Sequence, residues 1–140
     1  MLLKDVLLRD PSKNPLANNG QARIQNEAAD EKMLAQLRGE LESFVCKGQY
    51  GDGMSRILDS FLRGQSQASQ KAAWVSGFYG SGKSHLLKML CHLWQDTAFP
   101  DGATARSLVP DLPQDVRRAL LELDIAGRKS GGLIDRKSVV

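Results

Sequence analysis

Apolar residues recur at helical spacing in several separate stretches of this chain. Leu34, Leu37, Leu41, Phe44 and Val45 fall at i, i+3, i+7, i+10 and i+11, which is one face of a helix over residues 27–46. Glu27, Asp30 and Glu31 crowd its first turns, where the helix dipole favours acids. Gly48, Gly51 and Gly53 predict a break. A second helix is expected from about Asp52 to Leu62, with Met54, Ile57, Leu58, Phe61 and Leu62 on one face. Residues 64–70 are a polar connector. Ala72-Ala73-Trp74-Val75-Ser76 is a short, mostly apolar run of the kind that forms a central strand. After it, Leu86, Leu90, Leu93 and Trp94 mark a third helix, starting at about Lys83. Residues 95–110 read as irregular. A last helix begins near Pro113, a residue suited to a first helical turn, and carries Val116, Leu120 and Leu123. Gly127, Gly131 and Gly132 are expected to end it. Residues 1–26 read as a lead-in. Met1–Leu8 is a short helix or strand, 10–15 and 18–20 are turns, and Gln21–Ile24 is a short strand.

Between the apolar run and the third helix lies Gly77-Phe78-Tyr79-Gly80-Ser81-Gly82-Lys83-Ser84. It fits G-x-x-x-x-G-K-[ST], the phosphate-binding loop of P-loop nucleotidases. Each part has a mechanical task. Glycine lets the backbone take positive φ and approach a phosphate with no Cβ in the way. The N–H groups along Gly77, Gly80, Ser81 and Gly82 then point inward as an anion nest. Lys83 reaches the β- and γ-phosphates of a nucleotide, and the Ser84 hydroxyl ligands Mg²⁺. The helix that follows adds the positive end of its dipole. A Gly-rich turn without a ligand is the bland alternative, and the match of both flanks weighs against it.

This pattern predicts an α/β fold: an incomplete P-loop NTPase core preceded by a mainly helical N-terminal segment. Residues 1–71 form the prelude and 72–134 the start of the ATPase domain. A hydrolase also needs a strand-end Asp or Asp-Glu to hold Mg²⁺. Downstream, Leu120-Leu121-Glu122-Leu123-Asp124 is the candidate, but its neighbours are good helix formers and follow a helix-start proline. An amphipathic helix is the better reading, so the hydrolytic half-site is missing and the catalytic residues stay unassigned. One strand and one helix cannot make a doubly wound sheet, which suggests truncation. Asp135-Arg136-Lys137-Ser138-Val139-Val140 matches one translated frame of a common sequencing adapter and reads as a non-native tail, with a natural polar tail as the alternative.

Bulk composition narrows the picture little. A chain of 140 residues with 41% apolar content is one modest domain or part of a larger protein. A formal charge of +3 permits nucleic acid as a partner without arguing for it. No apolar run approaches a membrane span, and Met1–Leu8 is too short and interrupted for a secretion signal. Cys46 and Cys91 lie far apart with no ligand spacing, which points to a reduced, cytoplasmic protein. His85 and His92 are seven apart, a spacing for packing or polar contacts rather than a metal. Arg117, Arg118, Arg128 and Lys129 are offset by Asp115, Glu122 and Asp124, as on a solvated helix face.

Trp74-Val75-Ser76-Gly77-Phe78-Tyr79-Gly80-Ser81-Gly82-Lys83-Ser84-His85-Leu86-Leu87-Lys88-Met89-Leu90 resembles the phosphate-loop segment of the BREX phage-exclusion ATPases, the BrxC and PglY family. The segments 40–50, 57–62 and 104–110 are similar to that family too, and the likeness covers most of residues 1–134. The resemblance implies an N-terminal piece of a large cytoplasmic AAA+-like ATPase, which hydrolyses ATP with Mg²⁺ when complete. It implies other BREX proteins as partners, including a DNA methyltransferase, with DNA reached through that complex and an oligomer open to the full-length protein. By motif position, Gly77, Gly80, Gly82, Lys83 and Ser84 are its nucleotide-binding residues. No Walker B acid, sensor or arginine finger carries over.

Two other classes of function compete. A small-molecule kinase would carry its loop near the N-terminus, and the long prelude here counts against that. A nucleotide-binding interaction module without hydrolysis would use the prelude helices to dock a partner.

Overall fold

The structure, a computed structural model, describes residues 31–65, 67–69 and 72–130. Its helices are α1 (Glu31–Ser43), α2 (Gln49–Gly64), α3 (Lys83–Gln95), the short α4 (Ala105–Leu108) and α5 (Gln114–Ser130). Each brings its apolar stripe to one buried cluster. Leu37 and Leu41 come from α1, Met54 and Leu58 from α2, and Leu86, Met89, Leu90 and Leu93 from α3. Val116, Ala119, Leu120 and Leu123 come from α5. Helices on both sides of residue 71 therefore share a core. The most extensive packing is between α2 and α5.

The expected α/β class is overturned. Among the described residues the chain is helical and holds no sheet; the sole strand-like pairing is an isolated bridge between Ala98 and Thr104. The run 72–76, expected as a central strand of a P-loop NTPase core, has no strand beside it. Trp74 there is 91% exposed, and Val75 alone is half-buried. An apolar run becomes a strand only when a neighbour completes its backbone hydrogen bonds, and the described residues supply none.

The glycine break is also revised. Gly48, at φ 56°, does precede α2, but Gly51 and Gly53 lie inside it. A Cβ on Gly51 would sit 3.1 Å from the Cys46 carbonyl oxygen and 3.4 Å from Pro113 Cγ. Tertiary packing there overrides a helix-propensity cost of about 1 kcal/mol. Likewise α5 runs through Gly127 to Ser130, and α4 interrupts the stretch expected to be irregular. The helical reading of Leu120–Asp124 holds. Elements expected in residues 1–30 and the tail 135–140 lie outside the described residues.

Two polar ties set the position of α3. Lys88 is 2% exposed, and its Nζ lies 2.5 Å from Glu40 Oε2 on α1. The pair is in ionic contact without the angles of a directional hydrogen bond, while Gln36 donates to the other carboxylate oxygen. At the far end, Arg106 Nε donates to the Leu93 carbonyl at 2.7 Å and Nη2 to that of Trp94 at 3.1 Å. Both carbonyls lie in the last turn of α3, where intrahelical donors run out, and that of Leu93 also accepts the Asp96 N–H at 3.4 Å. The same guanidinium holds both oxygens of Asp124 on α5, at 2.5 and 3.0 Å, in the bidentate geometry that suits arginine.

The two histidines pack as their spacing suggests. His85 meets Phe44 edge-on at 5.7 Å. His92 is buried and shares a 2.9 Å hydrogen bond between Nδ1 and Thr97 Oγ1. Burial lowers the pKa of both rings; for His92 Lys88 adds to that effect and Glu40 opposes it, and for His85 Glu40 opposes burial more than Lys88 assists it.

Removing one member of the buried pair leaves the other charge in the core. Lys88→Met is expected to lower unfolding free energy by about 3 kcal/mol, read by urea denaturation. The double variant Lys88→Met, Glu40→Leu should recover most of that loss. The lowered histidine pKa values carry a second expectation. The unfolded chain binds protons near pH 6.5 that the folded chain refuses, so their stabilisation is complete above that pH and is lost as pH falls through it. Urea midpoints measured from pH 7.5 to 5.5 should fall, and less steeply in His92→Asn.

Candidate nucleotide-binding site

The loop between residue 77 and α3 takes the shape that its glycines permit. Gly80 has φ 78° and Gly82 φ 83°, both in the left-handed region that side chains with a Cβ rarely adopt. Gly82 is the N-cap of α3, and Lys83 is its first residue. The Leu86 N–H donates back to the Gly82 carbonyl at 2.9 Å, which starts the helical ladder. The Ser81 N–H donates to the Phe78 carbonyl at 3.1 Å and closes the turn. Among the described residues, the N–H groups of Gly80, Gly82, Lys83 and Ser84 meet no backbone carbonyl. Such free donors at the head of a helix form a cradle for an anion.

The Lys83 side chain folds back over this cradle. Its ammonium donates to the Gly77 carbonyl at 2.8 Å and to the Phe78 carbonyl at 2.6 Å, with Ser81 Oγ at 3.4 Å. The loop thus curls around a single cation. Those acceptors are neutral dipoles, whereas a phosphate oxygen carries charge and makes the stronger, charge-assisted hydrogen bond. An arriving phosphate chain would find the ammonium already inside the loop. Ser84 is exposed on the first turn of α3, where its hydroxyl is open to a cation held by that phosphate chain. The structure therefore brings Gly77, Gly80, Ser81, Gly82, Lys83 and Ser84 into one loop. The free backbone donors and the Lys83 ammonium are of the chemistry that would suit a phosphate chain, and Ser84 is the residue that would meet a cation held with it.

The loop's carboxylate partner is another matter. Asp124 is committed to Arg106 on the α5 side of the molecule. Among the described residues, no group of three or more His, Cys, Asp or Glu side chains could hold a metal by itself. The aromatic residues of the segment face outward: Phe78 is 90% exposed and Tyr79 fully so.

Tyr50 is a contact that sequence reasoning missed. Its hydroxyl, from the first turn of α2, donates to the Ser81 carbonyl at 2.6 Å across a separation of 31 residues. Its ring also backs onto Gly82, where an added Cβ would collide with the hydroxyl and lie 3.2 Å from Cζ. The only signal in the sequence was an aromatic between Gly48 and Gly51, just before the expected start of the second helix, and nothing in that tied it to the loop.

No family model matches the chain, and no solved structure matches it. No helix among the described residues is long and apolar enough to cross a membrane.

Gly80 and Gly82 should respond differently to a methyl group. Both positive φ values cost a residue with a Cβ about 1 kcal/mol or more, but space around Gly80 is open while Gly82 abuts Tyr50. Gly82→Ala is expected to lose well over tenfold in triphosphate affinity and Gly80→Ala about fivefold, measured by calorimetric titration.

Proposed function

We propose that this chain is the ATP-binding portion of a P-loop ATPase of a BREX-type bacteriophage defence system. The loop of residues 77–84 takes the phosphate chain of ATP. Gly77, Gly80, Ser81 and Gly82 supply backbone donors, Lys83 neutralises the β- and γ-phosphates, and Ser84 meets Mg²⁺. The observation that carries this reading is the Lys83 ammonium held inside a turn of left-handed glycines at a helix N-terminus. The likeness of segments 74–90, 40–50, 57–62 and 104–110 to the BREX ATPases supports the choice of adenine nucleotide and of system. On that reading the protein is cytoplasmic. It hydrolyses ATP when complete, works with other BREX proteins, and reaches DNA through them.

A second reading has its own support. Asp124, the candidate downstream acid, lies on a helix and is bound to Arg106. Nucleotide binding without hydrolysis is therefore the function favoured for the described residues taken alone. Binding would then order the loop, and the surrounding helices would present a surface to a partner.

Lys83→Ala in the complete protein is expected to abolish ATP binding and phage restriction together. Retention of both would overturn the proposal. ATP turnover by the unmutated chain separates the two readings: release of phosphate supports an ATPase, and tight binding with no release supports the binding module.

A further inference from the structure

The loop is held from α2, whose Tyr50 hydroxyl bonds the Ser81 carbonyl, and no sheet stands beside it among the described residues. Ser81 and Gly82 share one peptide unit, which is planar and trans. In such a unit the C=O and the N–H point in opposite directions. A donor that holds the Ser81 carbonyl from outside therefore aims the Gly82 N–H the other way. Tyr50 is that donor, at 2.6 Å. The Gly82 N–H is one of the free donors at the head of α3.

Tyr50 is itself held. It sits in the first turn of α2, just past Gly48, whose φ of 56° sets the entry of the chain into that helix. Its ring meets Phe44 edge-on, with centroids 6.4 Å apart and planes at 80°. Phe44 is buried and also packs on His85, in the first turn of α3. A continuous path of ring contacts thus joins the α1–α2 junction to the helix that carries Lys83. Gly82 has no room for a Cβ because the tyrosine occupies that space.

We propose that Tyr50 is a positioning residue for phosphate binding: it fixes the Ser81–Gly82 peptide so that the Gly82 N–H faces the incoming phosphate chain. This rests on the nucleotide reading above. The tyrosine touches no phosphate. It acts through the peptide, so its loss should weaken every ligand that carries the phosphate chain by the same factor, whatever base is attached. The Tyr50–Ser81 bond is exposed, so water replaces it when the hydroxyl is removed, and folding should be little affected.

The test compares Tyr50→Phe with the unmutated protein and with Lys83→Ala, in the intact chain. ATP and inorganic tripolyphosphate are titrated calorimetrically, and the thermal midpoint is recorded without ligand. Tyr50→Phe should bind both ligands about three- to tenfold more weakly, the factor of one lost hydrogen bond, at an unchanged midpoint. A loss confined to ATP would overturn the proposal, because the tyrosine would then be reading the base. Unmutated affinity for both ligands in Tyr50→Phe, with binding lost in Lys83→Ala, would overturn this proposal alone. Failure of the unmutated protein to bind either ligand would overturn the nucleotide reading and the role of Tyr50 with it.

Discussion

The charge of Lys88 in the core is the constraint around which the rest of the described structure is arranged. An ammonium at 2% exposure is tolerable only with a carboxylate in contact, and Glu40 on α1 is that partner. The contact acts with the buried stripe of Leu86, Met89, Leu90 and Leu93 to fix which face of α3 turns inward. Lys83 lies on the same helix, five residues toward the N-terminus, so the orientation that satisfies Lys88 also decides where the loop lysine leaves the helix. Arg106 completes the arrangement at the other end by capping α3 and tying it to α5. A helix held near its middle and at its C-terminus by charged groups is a rigid post, and the glycine loop stands on its head.

The loop needs such a post because the described residues give it no sheet to lean on. Its entry segment, 72–76, is open to solvent over most of its length. What shape it has comes from within and from one side. Lys83 draws the carbonyls of Gly77 and Phe78 inward, and Tyr50 holds the Ser81 carbonyl outward. A cation inside and a hydroxyl outside give the loop a direction, with backbone donors between them. The same logic explains why the positive φ values fall at Gly80 and Gly82, where the chain must reverse and then enter α3.

Much of this was legible residue by residue. Leu34, Leu37 and Leu41 announced α1, and the leucines after Lys83 announced α3, because a 3.6-residue apolar period is a local signal; Phe44 and Val45, read as part of the same face, lie past the end of α1, and Val45 is exposed. The helical nature of Leu120–Asp124 was readable from its helix-forming neighbours. The loop itself was readable because its chemistry is local: every group that would cradle a phosphate lies within residues 77–84. The errors share a cause. Gly51 and Gly53 looked like a break, yet burial of Gly51 against Cys46 and Pro113 outweighs a local preference. Ala72–Ser76 looked like a strand, yet a strand is defined by a neighbour that lies elsewhere in the chain.

The sequence by itself determined the four longer helices, most of their inward faces, and a loop whose glycines, lysine and serine match a phosphate-loop pattern, since each depends on residues a few positions apart. Only the tertiary structure decided the fold class, the pairing of Lys88 with Glu40, the commitment of Asp124 to Arg106 and the placement of Tyr50 against Ser81. Those contacts join positions 18 to 48 residues apart. Spacing along a chain carries no information about which distant side chains will meet. That is settled by how the helices bury their apolar faces together, and by where the charges they take with them find partners.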